Sequence, residues 1–331
     1  MKDLEISQNW EIVSPTIIEL PKKDLSTRKP FIVSNTIPCD LGDIQRLHII
    51  PVFVKDNEPV INHSDFIEVV HDVARSFYRG ETINCPTIRV SHPIKGRVAE
   101  ARNKPAKDLQ EYEKTIYYER MAFQIEVPSI TDIVSGNELS LCIGGVKAYN
   151  LDNLYNRKGV DEHFKIFVGF QNRVCTNLCI STDGLVKDLK VKSIRELMDG
   201  IFALLQNYDP ILHLKRMKYI NQYSLTEVQF ATLIGRCRMY QHLPKSLKSK
   251  VPTLEFSDTQ LNSVVRDYFS DQSFCREEDG SISLWNLYNL FTGANKNSYI
   301  DTYVDRANNA FDFAESLSNC LGNREQNWFL S

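Results

Sequence analysis

The segment QNRVCTNLC (171–179) sets a guanidinium, a thiol and an amide at every second position, Arg173, Cys175 and Asn177. In an extended strand, successive side chains alternate between faces, so this spacing gathers the three on one face and puts Val174, Thr176 and Leu178 on the other. Such a face either lines a cleft, where a thiol flanked by hydrogen-bonding groups could act on a ligand, or satisfies buried groups in a structural network. A second candidate is the carboxylate pair Asp301 and Asp305, one helical turn apart and followed by Arg306, Asn308 and Asn309. Its composition suits acid–base or metal chemistry, and equally the solvated face of an amphipathic helix.

A third group carries charge. Residues 211–250 hold Lys215, Arg216, Lys218, Arg236, Arg238, Lys245, Lys248 and Lys250 against the single acid Glu227; eight against one leaves +7. Tyr219, Tyr223, Tyr240 and His242 are interleaved with them, a pattern that suits single-stranded nucleic acid, where the backbone meets charge and bases stack on rings. Arg236 and Arg238, two apart on a predicted helix, point to different faces and cannot share one flat patch. Residues 251–331 carry twelve acids and five bases, a net −7. The two segments therefore either pack together and neutralise one another or leave the basic one open to an anionic partner.

Several common chemistries have no signature here. The chain has no GxSxG, HExxH, SxxK with partners, kinase set or Walker motif. Gly144-Gly145 lacks the GxGxxG context and a following helix, so it reads as a hairpin turn or bulge. The seven histidines are dispersed, and Cys175 with Cys179 is a CxxxC without a second pair. Eight cysteines spread through mostly apolar patterns read as free thiols. No catalytic residue, metal or cofactor is predicted.

The elements that must position these residues follow from periodicity. Hydrophobic residues make up 42% of the 331-residue chain and charged residues 24%, values of a globular protein long enough for two domains. A mean hydropathy of −0.30, with no apolar run near ~18 residues, predicts no membrane span. The N-terminus has no secretory pattern, and a cytoplasmic location is expected. The fold class is α+β: a mainly antiparallel sheet with one or two helices over 1–188, and an all-helical region over 189–331 with the linker at 181–192. Residues 1–40, punctuated by proline, predict an extended arm or edge strands, and 44–54 a strand. Ser64 is placed to cap a helix through FIEVVHDVARSFYRG, ended by Gly80. ELSLCIGGVKAYN, HFKIFVGFQ and NRVCTNLCI predict a meander. Four capping boxes (Ser193/Glu196, Ser224/Glu227, Ser257/Gln260, Ser298/Asp301) announce C-terminal helices. In the last, Ile300, Tyr303, Val304, Ala307, Phe311, Ala314 and Leu317 form one stripe.

NRVCTNL and SLWNLYNLFTG, in this order and spacing, resemble motifs of the phage- and plasmid-like protein family, a bacterial family of unknown function. With ELSLCIGGVKAYN, LIGRCRMYQHLP and LFTGANKNSYID added, the chain is still more similar to a related uncharacterised family carried on bacterial mobile elements such as conjugative transposons and prophages. The positions that match are Arg173, Cys175, Asn177, Trp285, Tyr288 and Asn289, to which the resemblance assigns no role. It implies DNA-linked work, by association only. The expected function is a mobile-element accessory protein binding single-stranded DNA or a DNA-processing protein, with Lys215, Arg216, Lys218, Arg236, Arg238 and Lys245 as the candidate contacts. The alternatives are a protein-interaction or assembly module without catalysis, and an enzyme with a cleft between sheet and helices.

Overall fold

In the computed structural model, residues 29–47, 60–101, 104–150, 161–323 and 326–331 are described. The chain forms β1 (Thr36–Cys39), α1 (Leu41–Leu47) and α2 (His63–Phe77), then β2 (Thr87–Ser91), β3 (Pro93–Arg97) and β4 (Lys114–Tyr118). Three long strands follow, β5 (Arg120–Val134), β6 (Asn137–Ala148) and β7 (Glu162–Asn172), then the short β8 (Leu178–Cys179) and β9 (Leu185–Val191). The rest is mainly helical: α3 (Ile194–Asn207), α4 (Pro210–Ile220), α5 (Glu227–His242), α6 (Lys245–Lys248), α7 (Asp258–Ser270), α8 (Leu284–Asn295) and α9 (Ile300–Asn323). Two-residue strands β10 (Ser224–Leu225) and β11 (Ile282–Ser283) pair to start α5 and α8 side by side. The fold is α+β, as the sequence predicts.

The antiparallel sheet runs β1-β2-β5-β6-β7, and β8 and β9 share the far edge of β7. Its register aligns Phe123, Gly145 and Ile166 on one face. That face, with Ile125, Leu141, Ile143 and Val168, packs on Phe66 and Val70 of α2 and on Leu197 and Ile201 of α3. The opposite face presents Ala122, Cys142, Val146 and Phe167 to Ile300, Tyr303, Val304 and Ala307 of α9. Because both faces are covered, the central strands are near-continuous apolar runs instead of alternating ones. All seven residues of the predicted α9 stripe are buried.

The structure relocates several predicted features. Helix α2 is capped by Asn62, not Ser64: Asn62 Oδ1 accepts from the Asp65 N–H at 2.9 Å, and Asp65 Oδ2 accepts from the Asn62 N–H at 3.1 Å. Gly80 ends the turn beyond it at φ +89°. Residues 44–47 of the predicted strand lie in α1; 48–54 and the arm residues 1–28 lie outside the described residues. The predicted linker holds β9, and 188 falls inside it. Its charged Lys187, Asp188 and Lys190 are what an edge strand carries against stray pairing, and they hide it among loop-like residues. The box at Ser257/Gln260 forms as expected. Ser193 caps α3, but Glu196 accepts from the Lys192 N–H. The box predicted at Ser224/Glu227 moves to Thr226/Gln229, and Ser298 bonds Asn295 and Gln260 ahead of α9.

Gly144 and Gly145 lie mid-strand in β6, not in a turn. Glycine is required there by close approach: a Cβ at 145 would stand 2.3 Å from the Phe66 ring that seats α2 on the sheet. Among the described residues, no helix is long and apolar enough to cross a membrane. Gly145→Val is expected to cost about 1–3 kcal/mol or more through overpacking, read as a lowered midpoint in urea denaturation; an unchanged midpoint would show that α2 is not held at this spot.

Candidate functional site

The two motif segments meet. β7 ends at Asn172, whose Oδ1 accepts from the Val174 N–H at 3.0 Å, and the chain turns tightly enough for Thr176 N–H to reach the Asn172 carbonyl at 2.7 Å. Thr176 takes φ +60°, a left-handed conformation that costs a β-branched residue energy. Residues 173–176 therefore form a turn and not the expected strand, and alternation does not order their side chains. Asn177 emerges buried and donates from Nδ2 to the Asn289 carbonyl (3.0 Å) and Oδ1 (3.2 Å). Asn289 Nδ2 in turn donates to the Trp285 carbonyl one turn back (3.0 Å), and the Cys175 thiol lies 4.0 Å from Asn289 Oδ1. Helix α8 presents these groups because Ser283 caps its start, accepting from the Asn286 N–H at 3.0 Å.

Trp285, Tyr288 and Asn289 are each 1% exposed or less. The Tyr288 hydroxyl interacts with the Cys179 thiol, and burial holds its ionisation well above the ordinary tyrosine value. Among the described residues, the Trp285 indole N–H has no hydrogen-bond partner. Arg173 leaves this group: it bonds Glu138 at 2.7 Å and lies 3.6 Å from Glu126. Five of the six motif residues thus form one joint between the sheet and α8, and Arg173 belongs to a neighbouring ion pair.

Lys296, which lies in the LFTGANKNSYID stretch but was not among the matched positions, completes the joint. Its Nζ donates to the Cys175 carbonyl and to Thr176 Oγ1 (2.9 Å), and its own carbonyl accepts from the Val33 N–H at 2.8 Å. Burial without a paired carboxylate lowers this ammonium to about 8, and burial raises the neighbouring Cys175 thiol. The available signal was a lone lysine between asparagines at a helix end, which reads as an ordinary C-terminal cation.

Asp301 and Asp305 also serve packing. Asp301 Oδ2 lies 2.9 Å from Arg120 Nε in an ion pair, while Lys165 bonds Asp305 and the Asp301 carbonyl, so both acids clamp α9 on the sheet. On the other face, Lys147 and Glu162 pair at 2.7 Å with 0% and 1% exposure; the signal was a lysine inside the apolar run of β6. Among the described residues, no three His, Cys, Asp or Glu side chains converge as a metal site. All eight cysteines are free.

The arginines of the basic segment are all engaged within the fold, and its lysines divide between engaged and exposed ones. Arg216 makes a bidentate pair with Glu315 (2.5 and 2.6 Å), which pushes its already high pKa further up, and lies over the Phe311 ring. Arg236 bonds the Ser331 carbonyl at 2.5 Å over Trp328, and Arg238 pairs with Asp258 at 3.0 Å. Lys218 meets Asp132 at 2.7 Å. Lys215, Lys245 and Lys250 are exposed, with no acidic partner among the described residues.

Among the described residues, two histidines are buried. His63 Nε2 pairs with the Tyr118 carbonyl (2.8 Å) and His213 Nδ1 with the Tyr208 hydroxyl (2.7 Å); burial lowers both to about 3. Between pH 6.5 and about 3 the unfolded chain takes up protons that these folded imidazoles refuse, so stability falls as the pH drops through that window. Urea denaturation across it should show His213→Phe with a shallower acid decline than the parent; an identical slope would refute the assignment. For the joint, Asn177→Ala and Asn289→Ala should each cost roughly 1–3 kcal/mol by orphaning a buried amide. The double variant should cost less than their sum; strict additivity would mean that the two amides do not couple.

Across residues 12–330 the chain matches the family model described as "Domain of unknown function, B. Theta Gene description (DUF3871)". No curated protein and no solved structure matches it. With the sheet, the α8 joint and the C-terminal helices all inside the matched span, the chain belongs to this domain-of-unknown-function family.

Proposed function

We propose that this protein is a mobile-element accessory protein that holds the phosphate backbone of single-stranded DNA with Lys215, Lys245 and Lys250. The observation that carries the reading is the split within the basic segment: its arginines are taken up by the chain's own carboxylates and carbonyls, while these three lysines stay exposed and unpaired among the described residues. Lys215 stands on the outward side of α4, opposite the buried His213, Met217 and Ile220. Solvated ammonium groups on flexible stems bind phosphate as point charges, without reading bases. The motif resemblance to mobile-element proteins supports the DNA-linked setting, by association.

Fluorescence anisotropy with a labelled oligonucleotide tests this. Three phosphate contacts on a single strand predict a log–log salt slope of about −2, and Lys215→Glu with Lys245→Glu and Lys250→Glu should abolish binding. No binding at low salt, or a slope unchanged by the triple variant, overturns the reading. A second reading, an assembly module without catalysis, is favoured by the exposed Val228, Met239, Leu247 and Phe269 on the α5–α7 layer.

A further inference from the structure

Helices α5 and α7 pack antiparallel. Phe230 stacks on Tyr268 near one end (ring centroids 4.0 Å, planes 7° apart), and Arg238 meets Asp258 near the other. The chain places opposite charges on these two ends. Where α5 begins and α7 finishes, the loop after α7 exposes Glu277, Glu278 and Asp279. The Tyr268 hydroxyl ties that loop to the helices by donating to the Gly280 carbonyl. Beside it stand the exposed Val228 (76%) and Phe269 (58%). Where α5 ends, α6 and the residues after it expose Lys245 and Lys250 beside Met239 (56%) and Leu247 (47%).

Each end therefore carries exposed charge beside two exposed apolar side chains, Phe269 with the Arg276 guanidinium over its ring, the composition of a small protein–protein contact. The ends cannot satisfy each other within one chain, because the 16 residues of α5 hold them about 24 Å apart. Asp279 is engaged by the Ser281 N–H (2.8 Å), but Glu277 and Glu278 have no cationic partner among the described residues, as Lys245 and Lys250 have no acidic one.

We propose that the acidic end of one copy docks on the basic end of the next, with Glu277 and Glu278 facing Lys245 and Lys250 and the apolar pairs buried between them. Like ends repel, so the contact is head-to-tail; such a contact closes into a ring or continues as a filament. The inference does not rest on DNA binding. It shares two lysines with that reading, so single-stranded DNA and the acidic end compete for the same surface.

Sedimentation velocity on the full chain, over a range of concentration and salt, tests it. The wild type should form species larger than the monomer that disappear at high salt. Glu277→Lys with Glu278→Lys, and separately Lys245→Glu with Lys250→Glu, should each stay monomeric while keeping the wild-type circular dichroism. Mixing the two variants should restore association, because a chain basic at both ends then meets one acidic at both. A monomeric wild type at low salt, association untouched by either reversal, or failure of the mixture overturns the proposal. The acid-to-lysine variant still binds the oligonucleotide if the DNA reading holds, so the two can fail separately.

Discussion

Burial of both faces of the central sheet is the constraint from which most of this structure follows. A strand covered on two sides has no water to solvate a polar side chain, so each charged residue on it must be met by a partner from the layer above or from its own neighbour strand. Lys147 and Glu162 do this within one face, beneath α2. On the other face, Arg120 and Lys165 reach Asp301 and Asp305 of the last helix. Such pairs add little net stability, but losing one partner strands a buried charge at about 3–5 kcal/mol. They therefore fix which helix covers the face, and at what register, more than they strengthen the packing.

The same logic accounts for the joint between the β7–β8 turn and α8. Asn177 and Asn289 use their amides on each other and on the helix backbone, and Lys296 ties the turn to the segment at Val33. The left-handed Thr176 is tolerated because bonds on both sides over-determine it. Residue types that could have formed a reactive face are consumed in holding sheet and helices together.

What remains for recognition is surface charge and exposed apolar area. In the basic segment the planar guanidinium forks find carboxylate, carbonyl or ring partners, and three of the five compact, strongly hydrated ammonium groups stay in water. This division lowers the effective charge of the basic segment well below what its residue count implies. It also leaves Lys245 and Lys250 at one end of the α5–α7 pair and free carboxylates at the other.

The α+β class, the long strands β6 and β7, α2 and the α9 stripe were legible because local periodicity reports which face of an element is buried. Capping was legible at Ser257/Gln260, where one Ser-x-x-Gln pattern stands alone. At Ser224 the competing Thr226-x-x-Gln229 sits two residues on, and only the pairing of β10 with β11 decides between them. The motif residues could be named from the sequence but not placed: alternation predicted Arg173 beside Asn177, whereas a turn of four residues sends them to different partners. Sequence by itself determined most of the longer strands and helices, since their type depends on neighbours three or four positions away at most. Tertiary structure alone decided which charges cancel, because Arg216 and Glu315, or Lys165 and Asp305, are brought within bonding distance only when distant segments pack on one sheet.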